Sequence, residues 1–324
     1  MERHYRIRAL VVGLLTTVVM SACGDDSPSD PDPATLAIPT VAIASATEGQ
    51  LYSAVLGVTG GEAPYTWSVA SGELPEGIAL TAATGELAGT PTGLGTTFVV
   101  QVASGDGQTA TREFALDVLF TWDLAQEWSD VTNPFGPWEV LEDADQPFTT
   151  SQADFWGDAT NQAAWAAAPF DETAHVPFWM KVSVENPSLD GFATIGTVVA
   201  HTAEPARTGS DQTSLTWTSP FDGGVTIGGG IWVRQDFDRP QLWSLHLNAT
   251  EFTSGGLSQG DGFSQATPFL FSTGSGGAAA VNFPVSAGDV VELRLVRDAP
   301  GPADPGDVAV SYTHLTLPTM LAQC

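Results

Sequence analysis

The alternation of apolar and polar residues divides the chain into regions of different texture. Between Leu36 and Val118 short runs alternate with period two and are cut by turn residues. Tyr65, Trp67 and Val69 fall on one face there, with Thr66, Ser68 and Ala70 on the other. Phe98, Val100 and Val102 repeat the pattern, as do Phe114, Leu116 and Val118 against Glu113 and Asp117. Gly105-Asp106-Gly107 predicts the turn between the last two strands. Strands at this spacing predict an antiparallel sandwich of roughly 80 residues.

From Phe120 to Ala309 apolar pairs recur at strand spacing. They are Leu215 with Trp217, Val225 with Ile227, Ile231 with Val233, Trp243 with Leu245 and Leu247, and Val291 with Leu293 and Leu295. They alternate with polar neighbours such as Ser244, His246, Glu292 and Arg294. The stretch 218–233 reads as two strands around a glycine-rich bend, and 285–296 as a turn leading into a strand. No stretch keeps a helical period over three turns; residues 161–168 are the best short helix candidate. A second, larger sandwich of jelly-roll type is expected over 119–309.

Composition agrees. The 324 residues include 34 Gly, 22 Pro and ten Trp but a single Lys, Lys181, a mixture suited to β-structure. The net charge of −28 repels nucleic acid and anionic lipid, so neither surface is an expected partner. No cofactor is required; calcium, which takes oxygen ligands, is the ion the acidic loops would suit.

The N-terminus has its own pattern. Arg3, Arg6 and Arg8 precede an apolar run from Ala9 to Met20, too short for a comfortable membrane span, which needs ~20 residues. Met20-Ser21-Ala22-Cys23 resembles the lipobox of bacterial lipoproteins. That resemblance implies a signal peptide over 1–22 and a lipid-modified Cys23 anchoring the protein to a membrane. Gly24 after the cysteine implies the outer membrane of the cell envelope. Residues 23–35, rich in Asp, Ser and Pro, are expected to form a disordered spacer.

Two further resemblances bear on the folded part. Pro64-Tyr65-Thr66-Trp67, Leu74-Pro75-x-Gly77 and Thr84-Gly85-x-Leu87-x-Gly89-Thr90-Pro91 together resemble the immunoglobulin-like domain of bacterial surface proteins, related to cadherin-like and dystroglycan-type modules. This implies an immunoglobulin-like sandwich over 36–118, used for spacing and adhesion, with no catalytic residues to carry over. Residues 123–141 and 268–296 resemble β-sandwich modules of exported bacterial proteins, which bear on fold and location more than on activity. The expected fold class is therefore all-β, an immunoglobulin-like sandwich followed by a larger jelly-roll-like one.

Val310 to Thr319, VSYTHLTLPT, resembles the translated read-through of a transposon-derived sequencing adapter. Residues 310–324 are accordingly expected to be non-native, and the natural chain to continue past Ala309 with another strand. Tyr312, His314 and Cys324 then drop out as functional candidates. Cys23 is left without a partner for an intrachain disulfide.

Candidate chemistry is sparse. His175, His201 and His246 are scattered and form no zinc string. Gly274-Ser275-Gly276 lacks the elbow context of a serine nucleophile, and Gly228-Gly229-Gly230 lacks the helix and lysine of a phosphate cradle. Asn248-Ala249-Thr250 matches a glycosylation sequon and reads as incidental. Asp130, Glu139, Glu142, Asp143, Asp145, Asp154, Asp158, Asp171 and Glu172 could supply the carboxylate pair of a glycosidase. The stronger signal is aromatic: Trp122, Trp128, Trp138, Trp156 and Trp165 lie among Asp, Asn and Gln. An indole face can stack on the C–H face of a sugar ring while neighbouring polar groups take its hydroxyls; the competing use of each ring is to fill the core. The sequence thus points to a lipid-anchored, non-enzymatic envelope protein that adheres to, or binds, a glycan or other envelope component. The alternatives are a polysaccharide hydrolase and a purely structural envelope protein.

Overall fold

The computed structural model describes residues 34–143, 145–155, 161–169, 177–183, 195–202, 212–232, 240–258 and 260–298. Among these residues the regular structure is β apart from short helical segments at Leu124–Glu127, Phe271–Thr273 and Gly277–Ala280. The protein is all-β, with an immunoglobulin-like sandwich first and further sandwich sheets after it.

The first sandwich packs two three-stranded antiparallel sheets. One orders Thr66–Gly72, Thr96–Ala103 and Thr109–Leu116; the other orders Tyr52–Val55, Glu86–Gly89 and Ile78–Thr81. Ala46–Thr47 pairs in parallel with Val118–Leu119 and closes one edge. The predicted faces hold except at Val69, which was expected beside Trp67 but is exposed, next to the bulge between Val69 and Ser71. Phe98, Val100 and Val102 are buried on the same face of their sheet as Phe114 and Leu116, and the core is completed by Trp67 and Leu87. Gly85 shows why the sequence needs glycine there. Its φ is +70°, and a Cβ would lie 2.6 Å from the Trp67 ring, which rests on this turn. Ala34, expected in the disordered spacer, instead joins the module, its carbonyl accepting the Gly61 N–H at 2.7 Å.

The second region is built on a six-stranded sheet in the order Gln146–Pro147, Trp138–Asp143, Gln212–Thr218, Val290–Arg297, Gln241–Leu247, Thr250–Leu257. A four-stranded sheet orders Ser151–Gln152, Ala164–Ala166, Phe178–Lys181 and Val198–His201. The register aligns Leu215, Leu293 and Leu245 across three central strands. These join Trp138, Val140, Trp165, Trp179, Trp217 and Trp243 in one core. The expected strands around the glycine-rich bend are Gly223–Thr226 and Gly230–Ile231, and the expected turn-and-strand is Val290–Arg297.

The helix expected over 161–168 does not form. Ala164–Ala166 is a strand, with Trp165 opposite Ser151 on one side and Trp179 on the other. Alanine-rich composition favours helix only weakly, and the burial of Ala164, Trp165 and Ala166 between two strands overrides it.

The other face of the six-stranded sheet is polar yet covered. Ser214, Thr216, His246 and Glu292 are all buried. Ser214 Oγ donates to Glu292 Oε1 at 2.6 Å, and Arg294 Nη2 donates to Glu292 Oε2 at 2.8 Å. Ser244 Oγ and His246 Nε2 share a hydrogen bond of 2.8 Å, while His246 Nδ1 has no partner.

The two cores meet through aromatic rings. Phe120, packed on the first core, stacks on Trp122 with centroids 5.7 Å apart and lies 5.5 Å from Phe221. Trp122 then meets Trp217 edge-on at 5.5 Å.

Candidate functional site

Four of the five tryptophans singled out by sequence lie among the described residues; Trp156 lies outside them, as do Cys23, the signal segment, Asp158, Asp171, Glu172, His175 and the tail from 310. Trp122 is half-buried in the aromatic junction between the cores. Trp138 is in the core and donates its indole N–H to Glu127 Oε2 at 2.9 Å. The remaining pair, Trp128 and Trp165, converge on one loop.

That loop, Ser129 to Thr132, is fixed from several directions. Trp165 Nε1 donates to the Ser129 carbonyl at 2.8 Å, and Trp128 Nε1 donates to Asp130 Oδ1 at 2.7 Å. Ser129 Oγ accepts the backbone N–H groups of Val131 and Thr132 at 3.1 and 3.0 Å, a side-chain turn that shapes the bend. Asn133 follows as an anchor. Its Nδ2 donates to the carbonyls of Val140 and Phe148, and its Oδ1 accepts the Val140 N–H. Trp128 itself packs against buried Phe135 with centroids 5.3 Å apart.

Beside this loop is a cavity of about 550 Å³, lined by Asp130, Val131, Thr149, Thr150, Ser151, Ala153, Ala163 and Trp165. Antiparallel pairing of Ser151 with Trp165 brings its two distant walls together. Trp165 is 3% exposed, so it supplies a wall rather than a projecting platform. Val131, 84% exposed, stands at the rim. The volume falls within the ~300–1,000 Å³ range of small-molecule sites, and the lining combines an aromatic wall with hydroxyls and a carboxylate.

Asp130 is the one carboxylate among the described lining residues, so these residues by themselves assemble no facing acid pair. The perturbed acid nearby is Glu127. Burial pushes its carboxyl above the ordinary glutamate range, opposed by the bond from Trp138. Its oxygens are engaged internally, Oε1 by the Asp123 N–H at 3.3 Å and Oε2 by Trp138. Asp123 in turn caps Leu124–Glu127 by accepting the Gln126 N–H, so this pair serves the helix end. Among the described residues no group of three His, Cys, Asp or Glu side chains is placed to hold a metal ion, and no helix is long and apolar enough to cross a membrane.

Sequence reasoning missed Thr149, Thr150, Ser151 and Val131. Nothing local distinguishes these residues; strand pairing carries Thr149 to Ser151 to Trp165, and the Trp165 indole bond to the Ser129 carbonyl holds the loop of Val131 there.

Comparison with known families finds a match over the first module. Residues 34–119 match the family model described as "Putative Ig domain". No curated protein matches the chain. Among solved structures, the chain is similar to the carbohydrate-binding module CBM51-2, in complex with GlcNAc, and INT domains of Clostridium perfringens ZmpB. The identity there is 12%, with 80% of this chain and 41% of that one covered and a TM-score of 0.22. Against the secreted serine protease VesC of Vibrio cholerae the identity is 9%, with 85% and 43% covered and a TM-score of 0.24. Against cadherin domains 1–4 of protocadherin gamma B7 the identity is 11%, with 57% and 46% covered and a TM-score of 0.27. The chain spans less than half the length of each, and likenesses this distant bear on neither ligand nor activity.

Proposed function

We propose that the protein is a non-enzymatic, lipid-anchored component of a bacterial cell envelope. In this reading its immunoglobulin-like module holds the larger sandwich off the outer membrane and the larger sandwich binds glycan. The observation that carries the binding role is the cavity between Asp130 and Trp165. It joins an indole wall and the hydroxyl side chains of Thr149, Thr150 and Ser151 to Asp130, which sits on a loop fixed by two indole N–H groups. Rigid loops on a sandwich are where binding collects, and fixing them in advance lowers the entropy lost on association. The anchor rests on the lipobox-like Met20-Ser21-Ala22-Cys23, with residues 23–33 as tether. Two or more acyl chains on one cysteine would hold the protein stably at a bilayer.

Two experiments test the two halves. The full chain, probed on a broad glycan array, should bind a subset of glycans, and Asp130→Ala should abolish that signal; silence across the array contradicts the binding role. Cys23→Ser should move the protein from the membrane to the soluble fraction, and retention of the variant in membranes contradicts the anchor.

A further inference from the structure

Asp130 carries more information than its place in the cavity wall. Its Oδ1 is occupied by the Trp128 indole at 2.7 Å, whereas no described residue hydrogen-bonds to Oδ2. The side-chain hydroxyls of Thr149, Thr150 and Ser151, on the same lining, likewise make no hydrogen bond to a described residue. No Lys, Arg or His occurs among the described lining residues, and the chain as a whole carries a charge of −28. We infer that the cavity selects neutral glycans over anionic ones, with Asp130 as the selecting residue and Trp128 as the residue that positions it. This inference rests on the glycan-binding reading and specifies its ligand class.

The chemistry is direct. A carboxylate oxygen is an acceptor only, so Oδ2 takes a ligand O–H, and such a charge-assisted bond is about twice as strong as a neutral one. A uronate or sulfate brought to the same place meets a fixed like charge with no cation among the described lining residues to offset it, and like-charge juxtaposition penalises the wrong partner. The hydroxyls of Thr149, Thr150 and Ser151 can donate or accept, which suits the mixed hydroxyl rim of a neutral sugar. Trp128 acts at one remove. Its ring is fixed on Phe135 and its N–H fixes one carboxylate oxygen, leaving the other without a bond to any described residue. Loss of that N–H should weaken binding through disorder of Asp130 while leaving charge selection in place.

The test is calorimetric titration of the full chain. The neutral probes are cellohexaose, xylohexaose and mannohexaose; the anionic probes are hexameric oligogalacturonate and oligomannuronate. The expected result is a preference of at least about tenfold for one neutral probe over both anionic ones. Asp130→Asn keeps an acceptor and removes the charge, and it should shrink that preference at least about threefold. Trp128→Phe keeps the ring and removes the N–H. It should weaken the neutral probe about three- to tenfold with the neutral-to-anionic ratio unchanged. Equal binding of both classes by the native chain, or an unchanged ratio in Asp130→Asn, overturns the inference while leaving glycan binding standing. Absence of binding to every probe and on the array removes the underlying reading, and the inference with it. Circular dichroism of each variant separates a folded, weakened site from an unfolded one, and Asp130→Ser provides a second neutral variant if Asp130→Asn fails to fold.

Discussion

The two sandwiches treat the polar half of their strands differently. In the first, Thr109–Leu116 buries Phe114 and Leu116 and leaves Thr111, Glu113 and Ala115 exposed, so one face is core and the other meets water. In the second, Gln212–Thr218 alternates just as regularly, yet all five residues from Thr213 to Trp217 are buried. Alternation reports which residues share a face; it does not report that the polar face is wet. Where that face is covered, polar groups need partners; the Ser214–Glu292–Arg294 bonds supply them for Glu292, whereas His246 Nδ1 is left without one among the described residues. Similar patterning therefore produces a sheet with one working face in one module and two in the other.

Core truncation should show the largest effect. Trp243→Ala, deep in the second core, should cost about 3–5 kcal/mol and selectively lose that module's transition in urea, while the first module remains folded. The sharpest contrast compares like with like. Glu292→Ala leaves Arg294 facing a buried gap and should cost about 2–3 kcal/mol, less than a fully buried pair because Arg294 reaches solvent. The corresponding change on the first module's open face, Glu113→Ala, should stay within about 0.5 kcal/mol. Equal costs from denaturant titration would erase the distinction between the two faces. Phe120→Ala removes the ring shared by both cores. It should cost about 1–3 kcal/mol and, in calorimetry, move the two modules' transitions further apart. The smallest effect concerns pH. Because burial raises the Glu127 carboxyl, the folded state binds a proton that the unfolded state releases. Stability therefore falls as pH rises through the window between the ordinary glutamate value and the raised one. Relative to Glu127→Gln, the native protein should gain stability on going from pH 7 down into that window; a gain in the opposite direction would contradict the burial argument.

Much of the first module was legible in the residues themselves. Trp67, Phe98, Val100, Val102, Phe114 and Leu116 occupy the faces their spacing predicts, and Gly105-Asp106-Gly107 falls between the two strands it was expected to join. The second module was legible in its strands but not in its depth. The burial of His246 and Glu292 depends on what covers the sheet, which no local pattern encodes. The residues 161–168 misled because alanine favours helix locally, whereas Trp165 is claimed by strands on both sides. The site was half legible. The tryptophans and Asp130 stood out by composition, but their roles did not. The indoles of Trp128 and Trp165 act through their N–H groups, which depends on a bend at Ser129 that sequence spacing does not reveal.

The central claim is that the larger sandwich takes a neutral sugar between Asp130 and Trp165. A crystal structure of the full chain with the best-binding neutral hexaose tests it most directly. The account predicts a sugar ring in the cavity, with one hydroxyl within hydrogen-bond distance of Asp130 Oδ2 and others at Thr149 to Ser151. An empty cavity with the oligosaccharide seated elsewhere on the protein would contradict it.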